Sequence, residues 1–174
     1  MSDIYVHTGF AQQFMSIEAS LTVDIKDIMS SHPIERIVFA GHSMGGAIAI
    51  IAAAYYGNLF STTHITCHTF GCPYVGNKAF VKWYAHNVDE SIRLEIEEDL
   101  VPMIRINDFR HIPGGVRLKR AGEVESDYHV KYMSYGDILR ALVDNGNVMD
   151  FFEHHTCDQH IYRLLSLETV RKPL

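Results

Sequence analysis

Residues 34–58 read IERIVFAGHSMGGAIAIIAAAYYGN, and this stretch decides the fold class. Ile34 to Ala40 is a short apolar run with Ile, Val and Phe, which predicts a buried strand. Ala47 to Tyr56 is rich in alanine and predicts a helix, stopped near Gly57-Asn58. Between them, Gly41-His42-Ser43-Met44-Gly45-Gly46 contains a G-x-S-x-G turn. A chain that bends this sharply from strand to helix lifts the serine above the sheet edge. Side chains two residues to either side would collide with the bend, and both places hold glycine. Ser43 then lies at a helix N-terminus, where unpaired N–H groups favour negative charge. The N–H of Met44 is expected to donate to the oxyanion formed when Ser43 attacks a carbonyl. The plain alternative is a glycine-rich turn with a buried serine; the strand–turn–helix setting favours the nucleophile.

Working outward, Phe10, Phe14, Ile17, Leu21, Ile25 and Ile28 recur at steps of three and four, one apolar helix face ending before Pro33. Downstream, His64 to Phe70 reads as a second strand, Asn77 to His86 as a helix, and Ile92 to Glu97 as a third strand. Ile104 to Leu118 contains Gly114-Gly115 and is predicted to form a β-hairpin. The basic residues Arg105, Arg110, Arg117, Lys119 and Arg120 are expected on its solvated face, and Trp83 and Tyr84 packed on the sheet. Asp137 to Val143 reads as a short helix ended by Asn145-Gly146, and Cys157 to Leu167 as a last helix with Thr156 as its N-cap. Strand and helix alternate, so the expected class is α/β: a mainly parallel sheet with helices on both faces.

The chain has 174 residues, which suits a single domain over 1–174. Its formal net charge of −6 argues against nucleic acid as a partner. The longest apolar stretch, Ala47 to Tyr56, is too short for a transmembrane segment. The opening residues show no secretory signal, and the odd count of three cysteines reads as free thiols; both favour a cytoplasmic location.

A serine hydroxyl needs a histidine base, itself oriented by a carboxylate, and in such folds the chain order is serine, acid, histidine. At this point the residues resemble a family. Val6-His7-Thr8-Gly9-Phe10 resembles the V-H-x-G-F segment of the class 3 lipases, the fungal triacylglycerol lipase-like group of α/β-hydrolases. Gly41 to Gly46 is similar to their G-H-S-x-G-G elbow, Thr69 to Asn77 to their T-F-G-x-P-x-V-G-N stretch, and Asp99-Leu100-Val101-Pro102 to their D-x-V-P. Four motifs in order are far more specific than any one, and the resemblance runs from Val6 to about Leu165.

The resemblance implies Asp99 as the acid. Position agrees, since Asp99 follows the third strand directly, although Glu97 or Glu98 could serve on position alone. Eleven histidines make the base harder to choose. His42 is expected to pack beside the elbow, and His111 resembles a family segment not used as the base. Of the late histidines, His155 stands just before the last helix, in a setting that resembles the family's H-S or H-T. His160 falls inside that helix and stays open as the second choice, with His154 behind it. The expected catalytic set is Ser43, Asp99 and His155, with the Met44 N–H for the oxyanion and no cofactor. The resemblance implies ester or lipid substrates such as acylglycerols.

The front of the chain departs from the family. Members carry strands, a lid helix and a second oxyanion donor ahead of V-H-x-G-F, whereas this chain begins five residues before Val6 and reads as N-terminally shortened. Thr8 is the substitute donor on offer, and losing one donor costs on the order of 10²–10³ in rate. Three explanations are open: a truncated protein, a compact esterase with a rebuilt site, or a catalytically impaired relative serving as a binding or interaction domain. An uncovered sheet edge would favour a homodimer. A metal site is a further alternative, from His154, Cys157 and His160 or from His64, Cys67, His68 and Cys72, but neither set has paired zinc-ligand spacing.

Overall fold

The computed structural model of the chain describes residues 3–106, 108–119, 123–126, 133, 140 and 153–171. Helix α1, Thr8–Ser31, is followed by strand β1, Arg36–His42, and helix α2, Met44–Leu59. Strands β2, His64–Phe70, and β3, Gly76–Asn77, lead into helix α3, Lys78–Asn87, and strand β4, Glu90–Ile96. Strands β5, Phe109–Arg110, β6, Gly115–Leu118, and β7, Val124–Ser126, come next, and helix α4, Cys157–Arg171, is the last described element. The central sheet has the order β1-β2-β4-β6-β7. β1, β2, β4 and β6 pair in parallel, and β7 pairs antiparallel with β6.

Sequence periodicity explains how the layers stack. Ile65 and Cys67 of β2 pack in the larger core with α1, α2 and α3. Phe70, of opposite parity on the same strand, belongs to a second cluster with Leu94, Ile96, Leu118 and Leu164 of α4. Successive strand residues face opposite sides, so α2 and α4 lie on opposite faces of the sheet. α2 is buried along most of its length, from Gly46 and Ala47 to Tyr56 and Gly57. Its small side chains let it sit between the sheet, α1 and α3. Tyr84 is likewise buried and shares a 2.6 Å hydrogen bond with Ser91, while Trp83 packs at the edge of the same core.

Three expectations change. The apolar face of α1 is narrower than its periodicity predicts: Phe14 is buried and Phe10, Leu21 and Ile25 pack on the core, but Ile17 and Ile28 are exposed. Residues 104–118 do not form a hairpin. β5 instead pairs antiparallel with β3, and β6 runs parallel beside β4. That register packs Val116 and Leu118 against Leu94 and Ile96, which a local hairpin would not. The hairpin that does form is β6–β7. The basic residues are also less free than expected: Arg105 and Arg110 pair with Asp108, and Arg117 donates to the Glu97 carbonyl, while Arg120 lies outside the described residues. The helix expected over 137–143, with its stop at 145–146, also lies outside them except for Arg140.

Cys67 and Cys72 are buried free thiols and Cys157 is an exposed one. Burial pushes the Cys67 thiol up to about 11 and raises Cys72 further, so neither offers a thiolate near neutral pH. Among the described residues no group of three or more His, Cys, Asp or Glu is placed to hold a metal ion, and no helix is long and apolar enough to cross a membrane.

Candidate active site

The bend between β1 and α2 is the origin of the site. Ser43 has φ 54° and ψ −125°, and among the described residues it is the one non-glycine with positive φ. Such a conformation costs an L-residue on the order of 1–3 kcal/mol and persists only where its surroundings impose it. Here the Ser43 N–H donates to the Phe70 carbonyl at 2.9 Å, which ties the bend to the end of β2. A Cβ on Gly41 would lie 2.3 Å from the Gly45 carbonyl oxygen, so residue 41 must be glycine. The expected symmetry does not hold on the other side. A Cβ on Gly45 would meet nothing within 4 Å, whereas one on Gly46 would lie 3.0 Å from the Gly41 carbonyl oxygen. The tight partner of Gly41 is therefore Gly46, because α2 has already begun at Met44 and its first turn presses residue 46 back on the strand.

The Ser43 side chain makes no capping bond to α2. Its Oγ lies 2.6 Å from Nε2 of His155. Nδ1 of the same ring lies 3.0 Å and 2.9 Å from the two carboxylate oxygens of Asp99. A carboxylate accepts, so Nδ1 carries the proton and Nε2 presents a lone pair to the Ser43 hydroxyl. Asp99 is wholly buried, and its Oδ1 also accepts the Val101 N–H at 3.0 Å. The turn Val101–Met103, with Pro102 near its start, holds that amide in place. His155 closes a 3-10 turn, Glu153–His155, directly ahead of α4. Thr156 caps that helix, its Oγ1 accepting the Gln159 N–H at 3.3 Å.

The other histidines fall into distinct places. His160 is buried behind Asp99: its Nδ1 donates to the Thr156 carbonyl at 2.9 Å, and its Nε2 is 3.7 Å from Asp99 Oδ2. His154 lies in the same turn as His155. The His42 ring packs 4.8 Å from that of His155 and 5.5 Å from that of His160. His111 donates from Nε2 to the Pro102 carbonyl at 2.8 Å, with its ring 3.8 Å from Tyr74. Of the alternative acids, Glu98 pairs with Arg163 at 2.8 Å. Met44 opens α2, where the first amides have no carbonyl within the helix to bond, and Thr8 is the exposed first residue of α1.

Sequence reasoning missed Gly71. It has φ 54°, and a Cβ there would lie 2.5 Å from Asp99 Oδ2, 3.1 Å from His160 and 3.2 Å from His155. This residue leaves the room in which the carboxylate and both rings meet. The signal was present in Thr69-Phe70-Gly71-Cys72-Pro73, read as the end of the second strand and as part of a family motif but not as part of the site.

Burial holds His42, His111 and His160 below the usual imidazole range, with the Arg93 cation adding to the effect at His111. In the unfolded chain these groups take up a proton near pH 6.5, while in the folded protein burial defers that uptake to lower pH. Their contribution to stability is thus complete above about pH 6.5 and is lost progressively as pH falls from there toward their lower folded-state values. The melting temperature by scanning calorimetry is expected to drop between about pH 7 and pH 5, and the drop to shrink in His111→Gln, which keeps a donor for Pro102 but does not titrate.

A parallel sheet flanked by helices, with a strained serine between strand and helix, defines an α/β-hydrolase fold. The sequence profile of the family Lipase (class 3) matches residues 1–109, and the chain belongs to that family of carboxylic ester hydrolases. It is 28 % identical over 155 residues to secreted mono- and diacylglycerol lipase 1 of Fusarium solani, covering 87 % of this chain and 46 % of the relative. The lipase of Rhizopus microsporus var. chinensis has the same fold, with a TM-score of 0.64 and 22 % identity over 87 % of this chain and 54 % of that one. So does a triacylglycerol lipase whose catalytic centre is described as a serine protease triad, with a TM-score of 0.67 and 23 % identity over 87 % of this chain and 59 % of that one. The chain thus spans about half the length of such relatives. The expectation of a cytoplasmic location is corrected: the Fusarium relative is secreted, which points outside the cell. The inference from free thiols is weak for Cys67 and Cys72, because buried cysteines survive in either compartment.

Proposed function

We propose that this chain hydrolyses carboxylic esters of acylglycerols through Ser43, His155 and Asp99. The observation that carries the reading is the pair of contacts at His155, 2.6 Å to Ser43 Oγ and 2.9 Å to Asp99 Oδ2. In this mechanism His155 Nε2 takes the hydroxyl proton as Ser43 attacks the ester carbonyl. Asp99 holds the imidazole in the required tautomer and offsets its charge once it is protonated. The Met44 N–H donates to the oxyanion, where the N-terminal end of α2 also favours negative charge. The tetrahedral species collapses as His155 returns the proton to the leaving alcohol, giving an acyl-serine. Water, deprotonated by the same imidazole, then releases the fatty acid. The acylglycerol substrate is argued from the mono- and diacylglycerol lipase relative.

The test is hydrolysis of mono-, di- and triacylglycerols and of p-nitrophenyl esters over a chain-length series, beside labelling by a fluorophosphonate probe. Turnover with covalent labelling at Ser43 is the expected result. A chain that folds but neither labels nor turns over any ester would leave a non-catalytic interaction domain on the same fold.

A further inference from the structure

The reading above requires two loops far apart in sequence to stay in register. Asp99 ends the loop after β4, and His155 ends the turn before α4. Leu164 of α4 packs against the cluster of Leu94, Ile96 and Leu118. Beneath α4 lies a cavity of about 210 Å³, lined by His42, Phe70, Cys157, His160, Ile161 and Leu164. A cavity thus takes the place of direct packing over part of the α4 face turned toward the ends of β1 and β2. Among the described residues, a shielded ion pair joins α4 to the acid loop, beside the 3.7 Å approach of His160 to Asp99. Arg163 donates to Glu98 at 2.8 Å, with the two side chains only 14 % and 9 % exposed. Glu98 is the residue before Asp99, and Arg163 lies about two helical turns beyond His155.

We propose that the Glu98–Arg163 pair is a positioning clamp that sets the distance between Asp99 and His155; the proposal rests on the Ser43–His155–Asp99 reading. A shielded ion pair adds little net stability compared with apolar packing, but its short, directional contact favours one arrangement of the two segments. Position matters in such a site, since a displacement of about 1 Å costs on the order of 10²-fold in rate. Glu98 and Arg163 act through Asp99 and His155 and need not touch the substrate, so their loss is expected in kcat and not in KM.

The experiment measures kcat and KM on a soluble p-nitrophenyl ester for Glu98→Gln, Arg163→Met, their double variant and Arg163→Lys. Rates are normalised to active sites titrated with the fluorophosphonate and taken well below each melting temperature. Glu98→Gln and Arg163→Met are expected to lower kcat about 10- to 100-fold at unchanged KM, and the double variant to be no worse than either. Arg163→Lys keeps the charge but not the guanidinium fork, so it is expected to lose only severalfold. A kcat per active site unchanged from the parent, in whichever of these variants folds, overturns the clamp even if the melting temperature falls. Ser43→Ala separates the two readings. If it is inactive while the clamp variants keep full kcat, only the clamp is wrong; if it still turns over ester, the reading beneath it is wrong.

Discussion

Ser43→Ala is expected to lower kcat on any ester that the parent hydrolyses by on the order of 10⁵–10⁶-fold and to abolish fluorophosphonate labelling. The size follows from the chemistry: without a nucleophile no acyl-enzyme forms, and only water held near the oxyanion site remains. The variant should fold as well as the parent or better. Alanine gives up the 2.6 Å hydrogen bond to His155, but the Ser43 side chain makes no capping bond to α2. An unchanged melting temperature beside lost turnover separates a chemical role from a structural one. Hydrolysis that survives in Ser43→Ala would remove Ser43 from the mechanism.

The second large effect compares two histidines. His155→Ala is expected to lose nearly as much as Ser43→Ala, on the order of 10⁵–10⁶-fold, and the double variant no more, because the residues act as one unit. His160→Ala is expected to stay within about tenfold of the parent and still label, since a ring behind the acid is not the proton acceptor. The distances argue this way: His155 Nε2 is 2.6 Å from Ser43 Oγ, while His160 faces Asp99 at 3.7 Å and spends its Nδ1 proton on the Thr156 carbonyl. The reverse pattern, with His160→Ala dead and His155→Ala normal, would hand the base to His160.

Much of this protein is legible in one dimension because its decisive signals are local. A β-branched run, a glycine bend and an alanine-rich run dictate strand, turn and helix through backbone sterics among residues a few places apart. The family membership rests on short motifs in order, and those too are visible in a string. The parallel sheet follows because strands alternate with helices long enough to cross over. Even the cap on α4 is a matter of Thr156 and the amide three residues on.

What only tertiary structure decided concerns partners distant in sequence. The apolar periodicity of α1 cannot say that Ile17 and Ile28 find nothing to pack on. Gly114-Gly115 permits a turn, but whether the next strand folds back on itself or slides beside β4 depends on where Leu94 and Ile96 already lie. Gly45 and Gly46 look alike until the bend fixes which one meets the Gly41 carbonyl. The acidic run before Pro102 offers several carboxylates and the end of the chain several histidines. A string ranks them only by position, whereas a hydrogen bond selects among them by tenths of an ångström. Glu98 turning to Arg163, and Gly71 leaving room for Asp99, are facts of that second kind.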